Sequence, residues 1–161
     1  MLKAYSDYLK QSTQKLPLLI ADLKGDVIDQ ILEEENIREI KSYIHAPGYI
    51  ANTDLAALYC GAFAFLYPSL RESFGIPMLE AMACGTPIIA GNTSAMPEIA
   101  GEGALLADPF NSNDITEKIL QLENDQTLYQ QQVEYGIQRS QLFSWRNTAE
   151  SLLKIYKEFA K

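Results

Sequence analysis

Two glutamates, Glu72 and Glu80, bracket a short polar segment that the sequence places between a strand and a helix. The segment carries Ser69 and Ser73 and ends in Gly75, where the lack of a side chain lets backbone approach a ligand closely. The first backbone N–H groups of a helix have no partner inside the helix, and the helix dipole favours negative charge there. The segment can therefore bind an anion such as a phosphate without a metal ion, although an ordinary strand–helix connection is an equal alternative.

The position of Glu80 in the sequence favours a bound ligand, because its neighbours in 78–84 (MLEAMAC) are otherwise apolar. A carboxylate among apolar side chains is unfavourable unless something hydrogen-bonds to it, as a ribose diol does in dinucleotide-binding folds. The alternative is a glutamate that points to solvent from an amphipathic helix. Glu72 lies in the loop, closer to where a ligand group attached beyond the phosphates would sit. The alternative interpretation of Glu72 is a solvated loop carboxylate paired with Arg71.

These residues need a strand before them and a helix after them, and the pattern predicts both. AFAFLY (62–67) is a short buried strand, Pro77 suits the first helical position, and Gly85 suits the residue just past the helix end. Apolar runs predict further strands at 16–22, 40–47, 86–91 and 103–108. Helical periodicity predicts helices at 2–14, from Val27 to about residue 36, from a cap at Asn52 or Thr53, and at 94–100, 112–123, 125–140 and 145–159, the last capped by Ser144.

Strands that alternate with helices at intervals of about 20 residues predict an α/β fold. We expect a Rossmann-like parallel sheet of about five strands with helices on both faces. The chain opens with a helix, whereas the first helix of a doubly wound sheet normally follows a strand. The pattern leaves open whether a first strand of the domain precedes this chain or the fold simply starts with a helix.

Composition excludes several classes of protein. The 161 residues suit one domain, and the net charge of −8 argues against binding to nucleic acid. No apolar run reaches the roughly 20 residues that span a bilayer, and the polar N-terminus is unlike a signal peptide. We therefore expect a cytoplasmic protein. Cys60 and Cys84 are far apart in apolar surroundings, which favours buried free thiols over a disulfide or metal pair, and His45 is the single histidine.

The run RESFGIPMLEAMACGTPIIAGNTSAMPEIAGEGALLADP (71–109) resembles the signature of retaining glycosyltransferases with the two-domain GT-B fold, the glycosyl transferases group 1 family. Weaker similarity covers GYIANTDLAALY (48–59) and FSWRNTAESLLKIY (143–156). The resemblance implies that residues 1–161 are the C-terminal domain that binds a nucleoside-diphosphate sugar. The implied reaction is a retaining, metal-independent transfer of a hexose to a hydroxyl of a glycan, polysaccharide or lipid-linked acceptor, with no cofactor.

The resemblance also implies roles for individual residues. Glu80 would hold the ribose hydroxyls, and Glu72 would contact the donor sugar and serve catalysis. Trp145 and the last helix resemble the element that crosses back towards the N-terminal domain, where a hydrophobic anchor is the role we expect. The other implied contacts are largely backbone contacts: to the distal phosphate or sugar from Ser73, Phe74, Gly75 and Ile76, and to the base from Gly48, Tyr49 and Ile50.

This sequence departs from the family pattern in three places. The basic residues that clamp the diphosphate and the acceptor-binding N-terminal domain would both lie upstream of Met1. The glycine-rich turn is DLKGD (22–26), which leaves Lys24 as a weak phosphate candidate, and Thr93, Ser94 and Ala95 replace glycines that often precede the PE turn. We therefore expect this chain alone to be inactive, and the full-length protein to sit at most peripherally on the membrane. The alternative is a non-catalytic nucleotide-sugar-binding or regulatory module.

Overall fold

Strands and helices alternate along residues 1–160, which are the residues that the computed structural model describes. The strands are β1 (Leu18–Ala21), β2 (Ile44–Gly48), β3 (Phe65–Tyr67), β4 (Ile88–Gly91) and β5 (Leu105–Ala107). The α-helices are α1 (Leu2–Gln11), α2 (Gly25–Glu34), α3 (Asn52–Gly61), α4 (Ile76–Ala83), α5 (Met96–Ala100), α6 (Ser112–Asn124), α7 (Gln126–Ser140) and α8 (Trp145–Phe159). A 3₁₀ helix, Arg38–Tyr43, precedes β2.

The α/β fold predicted from the pattern is confirmed, with parallel strands and helices on both faces. The first half of the strand predicted at 40–47 is wrong, because residues 38–43 form the 3₁₀ helix. Ile37, Ile40 and Tyr43 recur every three residues and all contact the core. That spacing places them on one side of a 3₁₀ helix, whereas in a strand they would alternate between faces.

The strands form two hydrogen-bonded sheets. In the first, β1 pairs with β2, with Leu18 opposite Ile44. In the second, β4 lies between β3 and β5, with Ile89 opposite both Leu66 and Leu105. β1 and β3 do not pair with each other, so each leaves one edge without a strand partner among residues 1–160. The sheet that the sequence predicts is therefore divided into a two-stranded sheet and a three-stranded sheet.

Helices cover both faces of the three-stranded sheet. Ile88 and Ala90 of β4 pack in one core cluster with residues of α4 and α5, whereas Ile89 packs in a second cluster with residues of α1, α2 and α6. Successive side chains of a strand point to opposite faces, so this division follows from the strand itself. The second cluster also receives Leu18 and Ile44 from the two-stranded sheet, and the two sheets thus share a core.

The last helix, α8, has no buried residue. Trp145 at its start is 80% exposed, and Tyr156 and Phe159 farther along are 66% and 84% exposed. Nothing among residues 1–160 covers Trp145, so the hydrophobic-anchor role expected of it stays a prediction. No helix in this range has the length and apolar character needed to cross a membrane.

Candidate functional site

The polar loop, residues 68–75, runs from the end of β3 to the start of α4, as the sequence predicts. Gly75 caps α4 with a φ of 95°, in the left-handed region that glycine adopts without steric cost. Pro77 lies in the first turn of α4. Gly91, at the end of β4, passes under the loop so closely that an added Cβ would lie 2.6 Å from the carbonyl oxygen of Ser69. Both glycines are therefore required by the course of the backbone.

The turn after β4 holds this loop in place through two hydroxyl groups. The Ser94 hydroxyl donates to the carbonyl oxygen of Glu72 at 2.6 Å and accepts from the Glu72 N–H at 3.2 Å. The Thr93 hydroxyl reaches the carbonyl oxygens of Ser69 and Leu70, each at 3.2 Å. Ser94 takes a left-handed conformation, with φ 57°, to make these contacts. The residues that replace family glycines thus position the loop that carries Glu72.

The Glu72 side chain is half-buried and has two polar neighbours. The Ser69 hydroxyl donates to Glu72 Oε1 at 3.1 Å. The Tyr67 hydroxyl is the second neighbour: burial, followed by a hydrogen bond to the Glu72 carboxylate and its negative charge, raises the pKa of Tyr67. Tyr67 is therefore protonated at neutral pH and can donate to Glu72. No ion pair joins Arg71 to Glu72 among residues 1–160, so the paired alternative is not observed.

Glu80 is exposed on α4, so the argument that it is buried among apolar neighbours is wrong. Met78, Ala81 and Met82 are fully buried, but the helical turn directs them to the side of α4 that faces the core. Glu80 still has a protein partner in Tyr59. Burial, followed by the charge of Glu80 and a hydrogen bond to it, raises the pKa of the Tyr59 hydroxyl. The ribose role of Glu80 therefore depends on the resemblance and not on burial.

An aromatic row, which we define as Tyr59, Phe65 and Tyr67, connects the two glutamates. The rings of Tyr59 and Phe65 meet edge to face at 5.3 Å between centroids, and those of Phe65 and Tyr67 stack at 5.4 Å. Besides burial, the nearby Glu80 carboxylate raises the pKa of the tyrosine at one end, and the Glu72 carboxylate raises the pKa of the tyrosine at the other end. The sequence analysis missed this row. The alternation of Phe65 and Tyr67 in β3 could have indicated that these two rings share one face of the strand. Tyr59 lies on α3, and nothing in the sequence pairs it with them.

The remaining loop residues present backbone and side chains to solvent at the start of α4. Ser73 is exposed, and Phe74 and Ile76 are 39% and 49% exposed. Phe74 is held from one side by Phe143, whose ring it meets edge to face at 5.8 Å. The structure thus brings Glu72, Glu80 and the segment between them together on one strand–loop–helix unit.

The segment predicted to face a base follows β2 of the two-stranded sheet. Gly48 ends β2 with a φ of 82°, Tyr49 is 78% exposed, and Ile50 is half-buried. Among residues 1–160, no hydrogen bond connects this segment to the polar loop. Lys24 is exposed at the start of α2, next to the two-stranded sheet. Each half of the predicted site therefore belongs to a different sheet.

No group of three or more histidine, cysteine, aspartate or glutamate side chains among the described residues could hold a metal ion. The polar groups of the candidate site are carboxylates, hydroxyls and backbone amides. This set suits a ligand with hydroxyl groups, which pair with carboxylates, and an anionic group, which pairs with the amides at the start of α4.

Comparison with known sequences gives a family match and several relatives. Residues 1–139 match the family described as Glycosyl transferases group 1. O-antigen chain mannosyltransferase B of Escherichia coli is 34% identical over 160 residues, which are 98% of this chain and 41% of that protein. Serotype-specific mannosyltransferase WbdA of Escherichia coli is 30% identical over 151 residues, 92% of this chain and 18% of that protein. The chain thus spans less than half the length of these curated relatives.

Solved structures share the fold. Sucrose-phosphate synthase from Thermosynechococcus elongatus superposes with a TM-score of 0.79 at 25% identity, over 98% of this chain and 42% of that one. Anabaena HepE in complex with UDP and glucose superposes with a TM-score of 0.77 at 19% identity, over 96% of this chain and 44% of that one. The second likeness is evidence for the fold alone. In both cases this chain corresponds to less than half of the solved protein.

Proposed function

The chain belongs to the glycosyl transferases group 1 family, and from this membership we propose that residues 1–161 are the C-terminal, donor-binding domain of a two-domain glycosyltransferase. The donor would be a nucleoside-diphosphate hexose, and the transfer would retain the configuration of the sugar. The observation that carries the proposal is the strand–loop–helix unit, which presents Glu72, Glu80 and the first amides of α4 on one side of the three-stranded sheet.

Each part of the unit has a role that its chemistry can perform. The Glu80 carboxylate accepts hydrogen bonds from the ribose hydroxyls, and Glu72 accepts from hydroxyls of the donor sugar. The backbone amides of Ser73, Phe74 and Ile76, around the left-handed Gly75, donate to the distal phosphate. Negative charge develops on the diphosphate as the bond to the sugar breaks, and donors fixed before the reaction stabilise that charge without rearranging.

The names of the relatives favour mannose as the hexose. The two curated relatives described above are both mannosyltransferases, and one of them acts on O-antigen chains by its name. We therefore propose polysaccharide synthesis as the setting and mannose as the transferred sugar.

The base contact would come from Gly48, Tyr49 and Ile50, mainly through their backbone.

The unpaired edges of β1 and β3 support the proposal that the complete domain contains a further strand. β1 and β3 each lack a neighbour on one side, although both sheets contribute to a common core cluster. We propose that a parallel strand from the N-terminal part of the full-length polypeptide pairs with both edges and joins the two sheets. In the full-length protein, amide hydrogen exchange at residues 18–21 and 65–67 should then slow at least tenfold relative to this chain. Equal exchange in both proteins would contradict the added strand.

The donor proposal is tested by calorimetry on the full-length protein. Glu80→Gln should weaken the binding of a nucleoside diphosphate about tenfold, because the amide replaces one acceptor of the ribose hydroxyls by a donor. Glu72→Gln should leave nucleoside-diphosphate affinity unchanged and lower transfer from the intact nucleotide sugar. Glu134→Gln, on an exposed face of α7, is the matched control. An unchanged affinity in Glu80→Gln would remove the ribose role.

Measurements of turnover test whether this chain transfers sugar by itself or only as a domain of the full-length protein. A panel of uridine and guanosine diphosphate hexoses, with mannose and glucose each represented, is offered to the 161-residue chain and to the full-length protein. We expect transfer only by the full-length protein, because acceptor binding and part of the diphosphate site lie outside this chain under the proposal. Sustained transfer by the chain alone would overturn that division of roles.

A further inference from the structure

The two cysteines of the chain lie on neighbouring helix ends. Cys60 is in the last turn of α3, and Cys84 follows the last residue of α4. A buried hydrogen bond joins the same two regions, because the Thr86 hydroxyl donates to the carbonyl oxygen of Tyr59 at 2.6 Å. Tyr59 directly precedes Cys60, and Thr86 follows Cys84 by two positions. This bond therefore holds together the ends of α3 and α4, where the two cysteines lie.

Both thiols are free. Cys60 is exposed and Cys84 is half-buried, so the expectation of two buried, separated thiols is wrong. Burial, followed by a hydrogen bond with the Cys60 thiol, raises the pKa of Cys84. The sequence spacing concealed the proximity of the two helix ends, because the cysteines come from different helices that the fold packs together.

We propose that Cys60 and Cys84 are a reversible disulfide pair that joins α3 to α4 when the protein meets a small disulfide oxidant such as oxidised glutathione. The exposed Cys60 thiolate attacks one sulfur of the oxidant, forms a mixed disulfide and displaces one glutathione thiolate. The Cys84 thiolate then attacks the Cys60 sulfur and displaces the second glutathione. The two protein thiols lose two protons and two electrons, and the oxidant is reduced to two glutathione thiols.

The position of the proposed disulfide in the chain predicts its effect on stability. The segment between the cysteines, residues 61–83, contains β3, the polar loop and α4, with Glu72 and Glu80. A disulfide would close this segment into a loop and restrict it in the unfolded state. We expect the midpoint of thermal unfolding to rise by roughly 5 to 10 °C in the oxidised protein. This inference does not depend on the donor that the site binds.

The test is incubation of the purified chain in glutathione buffers of graded redox ratio, followed by mass spectrometry of the intact protein and its peptides. The wild type should lose two hydrogens and give a linked peptide pair containing Cys60 and Cys84. Cys84→Ser should stop at the glutathione adduct on Cys60, since the resolving thiol is absent. Cys60→Ser should gain little adduct, because Cys84 is half-buried and less ionised.

Thermal unfolding in the same buffers provides the second measurement. The stabilisation should appear in the oxidised wild type, disappear on addition of a reductant, and be absent from the double variant Cys60→Ser/Cys84→Ser. If the wild type accumulates the same glutathione adduct as Cys84→Ser at every ratio, or only disulfide-linked dimers, the pair is refuted. A linked peptide pair without a shift in the unfolding midpoint would refute the proposed constraint on residues 61–83.

Discussion

Two short, entirely apolar strands have opposite surroundings. β1 is LLIA and β4 is IIAG, yet every residue of β4 is buried, whereas the residues of β1 alternate between half-buried and exposed, with Leu19 41% exposed. β4 has a strand on each side and a layer of helices on each face, while β1 has one strand neighbour and a free edge. Burial in this protein therefore follows from a strand's position in the sheet and not from its residue types.

The same difference divides the candidate site. The polar loop follows β3 and is held by hydrogen bonds from the turn after β4, so Glu72 stands on the well-packed sheet. The segment 48–50 follows β2 of the two-stranded sheet. We expect the part of the site that is proposed to contact phosphate and sugar to be formed before a ligand arrives. The part proposed to contact the base should form more completely if the proposed strand joins β1 to β3.

The largest expected effect compares the two sheets directly. Ile89→Ala should lower the free energy of unfolding by about 2 to 5 kcal/mol, because the side chain is fully buried and leaves a cavity. Leu19→Ala should cost about 1 kcal/mol or less, since that side chain already contacts solvent. Urea unfolding of the two variants beside the wild type measures both. Equal losses would contradict the difference in packing.

The aromatic row allows a test of whether the packed sheet positions Glu72. Tyr67→Phe keeps the ring and removes the hydroxyl whose pKa is raised by burial and by the nearby Glu72 carboxylate. We expect the affinity of the full-length protein for the nucleotide sugar to fall about tenfold, while affinity for the nucleoside diphosphate stays the same. Calorimetry with both ligands gives this comparison, and Tyr135→Phe, on α7, is the control. Equal loss for both ligands would indicate a general structural defect.

The hydrogen bonds of Glu123, on α6, join this helix to the end of α1, and a variant at Glu123 tests how much they contribute. Burial acts to raise the Glu123 pKa, but hydrogen bonds from Tyr8, Ser12 and the backbone at 13–14 outweigh it and lower the pKa. The ionised carboxylate therefore stabilises the fold above its unfolded-state pKa, and this contribution is lost as pH falls through the lower folded-state pKa. After allowance for partial solvent exposure, Glu123→Gln should cost about 1 kcal/mol at pH 7.

Chemical unfolding of the wild type and Glu123→Gln between pH 7 and acid measures this contribution. The difference between them should shrink as the pH falls below the unfolded-state pKa. Glu134→Gln, at an exposed position of α7, is the matched control. A constant difference for Glu123→Gln at every pH would assign the loss to packing instead of charge.

The smallest expected effect concerns the turn that holds the loop. Ser94→Ala removes both hydrogen bonds to the Glu72 backbone and should lower the free energy of unfolding by about 1 kcal/mol. Ser94→Gly loses the same bonds but suits the left-handed φ of 57°, so it should recover about half of that loss. Thermal unfolding separates the two variants. A more stable alanine variant would contradict the role of the hydroxyl.

The sequence predicted the C-terminal helices well and the segment before β2 poorly. Asn111, Asp125 and Ser144 each accept a backbone N–H at the start of α6, α7 and α8, and such caps are local signals. By contrast, α3 starts at Asn52 without a side-chain cap, so the cap expected at Asn52 or Thr53 is wrong. The 3₁₀ helix before β2 was predicted as a strand because the alternation of Ile44 and Ala46 in β2 was extended back to Ile40, across a segment whose apolar residues recur every three positions.

The sequence alone determined the α/β class, the strand–loop–helix unit and the family, because these depend on periodicity, local caps and a long contiguous motif. Only the tertiary structure decided which apolar strands are buried, that Glu80 is exposed, and that Tyr59 and Tyr67 support the two glutamates. It also brought together the ends of α3 and α4, where Cys60 and Cys84 lie. These features depend on contacts between segments distant in sequence, and local residue patterns do not specify which distant segments will pack together.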